Sequence, residues 1–140
     1  MSTLFTKIIE GDIPGRFVWR DDEVVAFLTI NPITPGHTLV VPVAEVDHWL
    51  DLPPHLAARC MTVAQVIGQA QMAAFAPARI GVIIAGLEVP HTHLHLIPIQ
   101  SEGDLSFAKA DPSPAPEALD DAASRLRDAL RSMGRTEVAS

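Results

Sequence analysis

The rhythm of apolar and polar positions changes twice along the chain. Residues 4–9 form a short apolar-rich segment, helical or turn-like, closed by Gly11 and Pro14. Three runs rich in Val, Ile, Phe and Thr follow at 16–20, 23–30 and 37–43. Asp21-Asp22 separates the first two, and Asn31-Pro32-Ile33-Thr34-Pro35-Gly36 separates the last two. β-Branched runs punctuated in this way predict antiparallel strands, because Pro and Gly supply the backbone angles that tight connections need.

From Pro53 the period lengthens. Leu56, Cys60, Val63, Ile67, Ala70 and Ala74 recur every three or four positions, one apolar stripe of a long helix. Pro53 and Pro54 fit its first turn, where a missing N–H costs nothing, and Pro77 ends it. Trp49 is expected to pack behind the turn into this helix. Strand patterns return at 79–85 and 91–99, joined by Gly86-Leu87-Glu88-Val89-Pro90. Beyond Gln100 a proline-rich stretch, 111–116, reads as an extended linker. A helix with Leu119, Ala122, Ala123, Leu126, Leu130 and Met133 on one side follows it. The expected architecture is α+β: a five-stranded antiparallel meander, one long packed helix and a C-terminal helix. Residues 1–100 are expected to form the domain, with 101–140 packed on it.

Composition narrows the function classes. At 140 residues, with 48% apolar and 19% charged side chains, the chain can build one buried core. Its formal charge is −7, and Lys7 and Lys109 are its only lysines. Polymeric nucleic acid needs an array of cations along its phosphates, so it is excluded as a partner, whereas one small phosphorylated ligand is not. The lone Cys60 excludes an internal disulfide and a Cys-x-x-Cys pair. Apolar runs fall short of the roughly 18–20 residues of a membrane helix, and Lys7, Glu10 and Asp12 interrupt any signal peptide. A cytoplasmic chain without a membrane partner is the expectation.

The candidate chemistry lies in histidine. Three of the six histidines, His91, His93 and His95, alternate along a strand pattern, so their rings project to one side. Such a row suits metal ligation, or an imidazole nucleophile whose neighbours hold its tautomer and bind an anion. A half-exposed strand with surface histidines is the bland alternative. At about 3.3 Å per residue, alternate positions spread too far for all three to share one zinc ion. No Cys or acidic partner set accompanies two of them, so a histidine-row metal protein is the weaker reading. His48 and His55 read as surface or helix-entry residues.

His91-Thr92-His93-Leu94-His95-Leu96-Ile97 resembles the signature of the histidine triad family, with Thr92 at a usually apolar position. Leu4-Phe5-Thr6-Lys7-Ile8-Ile9-Glu10-Gly11-Asp12-Ile13-Pro14, Asp21–Phe27 and Asn31–Pro42 continue the resemblance in order, over roughly residues 3–99. The pattern is similar to the Hint-type branch. The resemblance implies a homodimer with one continuous sheet, and a site for a purine nucleotide or nucleotide conjugate in each subunit. It implies a hydrolase or nucleotidyl transferase, of phosphoramidase or dinucleoside polyphosphate hydrolase type, acting at the α-phosphate through a nucleotidyl-histidine. By position His93 matches the nucleophile, His91 and His95 its flanking partners, and His37 a fourth histidine completing the network.

Phe5, Ile8, Phe27 and Ile30 fall where the family encloses a purine, although as an N-terminal turn and strand they read equally well as core. Thr29 stands where ribose contacts are made, and Glu88 and Val89 lie in the loop before the triad. That loop is shortened relative to many relatives. Leu87 offers no donor there, and Glu88 brings negative charge, either as a solvated carboxylate or turned inward against a polyphosphate. A non-catalytic nucleotide-binding or regulatory protein is therefore the second reading. Thr3 and Thr6 replace the Cys-x-x-Cys of zinc-binding relatives, with Glu45 near the position of a further histidine ligand. No metal or other cofactor is expected.

Overall fold

The computed structural model describes residues 2–139. Helix α1 (Leu4–Glu10) starts at Thr3, whose hydroxyl accepts the Thr6 N–H, and stops at Gly11 in the left-handed region. Strands β1 (Phe17–Arg20), β2 (Val24–Leu28) and β3 (Thr38–Pro42) follow as a meander. The first turn is fixed by Asp21, whose carboxylate accepts the N–H groups of Glu23 and Val24 and the Trp19 indole N–H. The long helix α2 (Pro54–Phe75) begins on its prolines and ends at Ala76.

Strands β4 (Arg79–Ile83) and β5 (Leu94–Ile99) form an antiparallel hairpin, and the whole sheet is antiparallel with five strands in the order β1-β2-β3-β5-β4. The expected meander thus holds for the first three strands. The last hairpin enters with β5 beside β3, which leaves β4 at the edge. Helix α3 (Pro116–Ser132) packs on α2 and β1. Its C-terminal extension lies along β1, with Ala139 N–H on Val18 O and Arg20 N–H on Glu137 O. The open edge of β1 is thereby covered.

Each face of the sheet has its own cluster. Val24, Ala26, Val40, Leu94 and Leu96 point to α2 and α3, against Leu56, Val63, Ile67, Leu126 and Leu130. The alternate positions Val25, Phe27, Leu39 and Val41 point the other way, against Phe5 of α1. Because β2 is buried on both faces, it reads in sequence as a continuous apolar run. The register shift between Phe17 and Trp19 sends Phe17 to the α1 face and Trp19 to the helix face. No helix among the described residues is long and apolar enough to cross a membrane.

Candidate active site

The strand expected over 91–99 forms its ladder only from Leu94. The reason is local. The His91 N–H turns back to Val89 O, and the Thr92 N–H and hydroxyl both go to Val46 O. His91 and His93 therefore lie in an extended approach to β5, with Pro90 before them, and only His95 lies within the ladder, opposite Leu39. The rings still gather on the α1 side. The Phe5 ring meets His91 and His93 edge-on, at centroid distances of 5.9 and 4.8 Å. His93 and His95 stand 4.8 Å apart, and His37, brought in by the loop before β3, stands 5.2 Å from His95.

Backbone groups fix where the hydrogens sit. The Ile33 N–H can only donate, and it meets His37 Nδ1 at 3.0 Å. The neutral His37 ring therefore carries its hydrogen on Nε2, which faces His95 Nδ1 at 2.9 Å. His95 in turn holds its hydrogen on Nε2. Burial pushes His37 down to about 4. Burial first, then repulsion from His93 and His37, pushes His95 down to about 3. Both rings are neutral at pH 7.

His93 is set the opposite way. Its Nδ1 lies 2.7 Å from the His91 carbonyl, which can only accept, so the hydrogen is on Nδ1 and Nε2 keeps a free lone pair. Burial lowers its pKa; the His91 carbonyl and the charge of Glu88 pull it partly back. His91 is fully enclosed, with Nε2 on Pro42 O and Nδ1 on the Thr3 hydroxyl, each at 2.8 Å. Glu45 accepts the Thr3 N–H and the Thr6 hydroxyl, which ties α1 to the connection after β3. Hydrogen bonds thus join Thr3, Thr6, Glu45 and His91. Among the described residues no three His, Cys, Asp or Glu side chains gather as metal ligands do.

Of the apolar candidates, Phe5 and Phe27 are buried and pack edge-on at 5.6 Å, and Ile8 and Val89 lean on the same cluster. Ile30 stands apart at 68% exposure, a free apolar surface at the end of β2. Thr29 is half-buried, with its hydroxyl accepting the Asn31 N–H, and Glu88 is exposed. Trp49 departs from its expected place behind the helix entry: it is 43% exposed in a short 3-10 turn. It lines, with Asp47, His48, Ile84, Leu87 and His93, a cavity of about 330 Å³. The turn ends before Pro53, so the indole is carried outward ahead of the helix. His48 sits at the same rim, while His55 lies 3.6 Å from the Glu23 carboxylate.

Two contributors carry no motif. Gln71 of α2 is fully buried and donates to Gly36 O and Leu96 O, clamping the His37 loop to β5. Its place in the helical period, among apolar neighbours, is the only trace it leaves in sequence. Phe107, in a short 3-10 turn after β5, meets the His95 ring edge-on at 4.8 Å. A lone aromatic among Ser, Ala and Lys was its signal.

The HIT domain family model matches residues 10–102. The protein Hit of Bacillus subtilis is 36% identical over 72% of this chain and 73% of its own length. An adenylylsulfatase of Arabidopsis thaliana is 29% identical over 91% of the chain and 67% of its own. An asymmetrical bis(5′-nucleosyl)-tetraphosphatase of Schizosaccharomyces pombe is 34% identical over 76% and 62%. The crystal structure of a Zn-bound histidine triad protein from Mycobacterium smegmatis superposes with a TM-score of 0.82, at 29% identity and 96% coverage of both chains. The clustered imidazoles, the five-stranded antiparallel sheet and these matches place the chain in the histidine triad (HIT) family, whose members include nucleotide hydrolases.

Proposed function

We propose that the protein cleaves purine nucleotide conjugates at the α-phosphate through a nucleotidyl-His93 intermediate. The observation that carries this reading is the pair of opposite tautomers side by side: a bare Nε2 on His93 and an Nε2–H on His95. The first is a nucleophile at neutral pH, and the second is a donor for a phosphoryl oxygen as charge builds there. In the first step the His93 Nε2 lone pair forms the bond to phosphorus. The bond to the leaving group breaks, and that group departs with the electron pair and takes up a proton. Water then adds at phosphorus, the N–P electrons return to Nε2, and nucleoside monophosphate is released with one water proton.

His91 acts through its carbonyl, which holds His93 in the productive tautomer, and His37 acts through His95. For the purine, Phe5, Ile8 and Phe27 supply an apolar floor with Val89 packed beside it, and Ile30, exposed beyond the end of β2, is available to cover the base from outside. The Thr29 hydroxyl is available to the ribose, and Glu88 stands at the mouth. The functional unit is a homodimer in which the free edge of β4 continues the sheet into a second copy.

The test is capture of the intermediate. An α-phosphate-labelled adenosine conjugate, quenched in alkaline denaturant that preserves N–P bonds, leaves one nucleotidyl group on the wild type and none on His93→Ala. The variant loses turnover by roughly a thousandfold or more, as nucleophile deletions do, while still binding AMP. Equal turnover in variant and parent overturns the assignment. Tight AMP binding by the wild type with no adduct and no turnover supports the binding-protein reading instead, which the donor-poor loop around Leu87, 94% exposed, favours.

A further inference from the structure

On the face that carries the imidazoles, the sheet has two separate covers. Over β1–β3 lies α1 with Phe5. Over β4 and β5 lies the segment 100–111, beyond the end of the family match at residue 102 for most of its length. Leu105 rests on Gly81 of β4, where a Cβ would stand 2.6 Å from the leucine methyl. The missing side chain at Gly81 lets the leucine methyls seat directly on the strand. The rings of His93 and His95 sit between the covers, with Phe5 at 4.8 Å from His93 and Phe107 at 4.8 Å from His95, both edge-on.

The segment is tied at both ends. Asp104 accepts the N–H groups of Gln100 and Ser101 at 2.8 and 3.3 Å. At the far end the Asp111 N–H meets Pro32 O at 2.9 Å, and the Asn31 amide donates to Asp111 O at 3.0 Å. Asn31 and Pro32 immediately precede Ile33, whose N–H sets the tautomer of His37 and hence of His95. Phe107 itself is 43% exposed. Its contact with His95 accounts for holding so large an apolar ring at the surface.

We propose that Phe107 is a positioning residue: with the tethered segment 100–111 it walls His95 from water and holds that ring in line with His93, as Phe5 does for His93 from the other side. A water on His95 Nε2–H would compete with the phosphoryl oxygen, and a drier surround strengthens the hydrogen bond that replaces it. The titratable rings against His95 are His93 on the same segment and His37 just before β3, and the covering segment itself carries Asp104 and Lys109. The last two pair with one another at 3.5 Å. Burial is the largest cause holding the His95 ring neutral, ahead of repulsion from His93 and His37, and Phe107 covers part of that ring. The proposal deepens the reading of His93 and His95 as the phosphoryl site and rests on it for its catalytic consequence.

The test follows the ring and the reaction separately in wild type, Phe107→Ala and Phe107→Leu. Between pH 7 and pH 5, nitrogen NMR of the free wild-type protein should show His95 neutral throughout, hydrogen on Nε2. In Phe107→Ala the ring should begin to protonate in that interval. The acid limb of kcat/KM on an AMP conjugate should move up by about one pH unit, a tenfold change in protonation equilibrium. Phe107→Leu, which keeps an apolar cover, should restore most of both. A His95 signal identical in wild type and Phe107→Ala overturns the proposal, as does an acid limb that stays put while kcat falls. Should the wild type turn over no conjugate, the phosphoryl-site reading falls, and the ring titration alone still decides whether Phe107 shields His95. Since Phe107 lies outside both core clusters, its variants should melt close to the wild type.

Discussion

The Ile33 N–H and the His91 carbonyl between them set the tautomers of three imidazoles, His37, His95 and His93. The Ile33 amide sends a hydrogen outward on His95, and the His91 carbonyl leaves a lone pair outward on His93. The row of histidines, and the expectation that their rings share a side, were legible in alternate spacing. The tautomers were not, because their partners come from residues 33 and 91, set by loop geometry rather than by side-chain type. Charge matters at the same scale. Burial lowers the pKa of His93, and the Glu88 carboxylate partly offsets that. Glu88→Gln removes the offset, so the acid limb of kcat/KM should shift to lower pH. An unmoved or rising limb in a pH–rate profile would show that the carboxylate does not reach the ring.

Between elements, the site depends on how α2 grips the loop before β3. Gly36 has φ 89°, and a Cβ there would collide with the Phe75 ring. Gly36→Ala should therefore cost about 1–2 kcal/mol for backbone strain alone, more with the clash, and should displace His37. Urea unfolding and the His37 NMR signal check both effects. Gln71 offers a gentler probe. Gln71→Met keeps the volume but takes the amide donor from Leu96 O and one of two donors from Gly36 O, which keeps the Thr38 hydroxyl. Because it also removes the buried, unpartnered Gln71 Oε1, the net loss should be about 1 kcal/mol. The elements themselves were largely written in the sequence: the three-and-four spacing of Leu56, Cys60, Val63 and Ile67 maps onto the buried stripe of α2. What periodicity does not carry is non-local pairing. The run at 91–99 looks uniform, yet its first residues are drawn off by Val46 and Val89, and β5 enters beside β3 because register is settled across the sheet.

At the scale of the whole molecule, the buried neutral histidines make the fold sensitive to acid. His37 titrates at 6.5 when unfolded and at about 4 in the fold, so in between the unfolded chain binds more protons. Its stabilising contribution is complete above pH 6.5 and is lost as pH falls toward 4. The slope is about 1.4 kcal/mol per pH unit for such a ring, and urea midpoints measured across this window should fall accordingly. Assembly is the other property at this scale. Among the described residues edge strand β4 has one unpaired side, and beside it Met61, Met72 and Val82 are exposed around a groove of about 470 Å³ lined also by Ala64 and Gly68. Exposed apolar groups next to a free strand edge invite a partner, and a second copy brings the same edge and the same groove in antiparallel register. A Cβ at Gly68 would meet only Ile80, at 3.9 Å, so Gly68→Arg leaves the subunit's own packing intact and fills the groove. By sedimentation the wild type should run at twice its 15.1 kDa and Gly68→Arg at that mass with an unchanged circular dichroism spectrum. A wild type that sediments as a single chain at tens of micromolar, or a variant that stays paired, would remove this face from consideration.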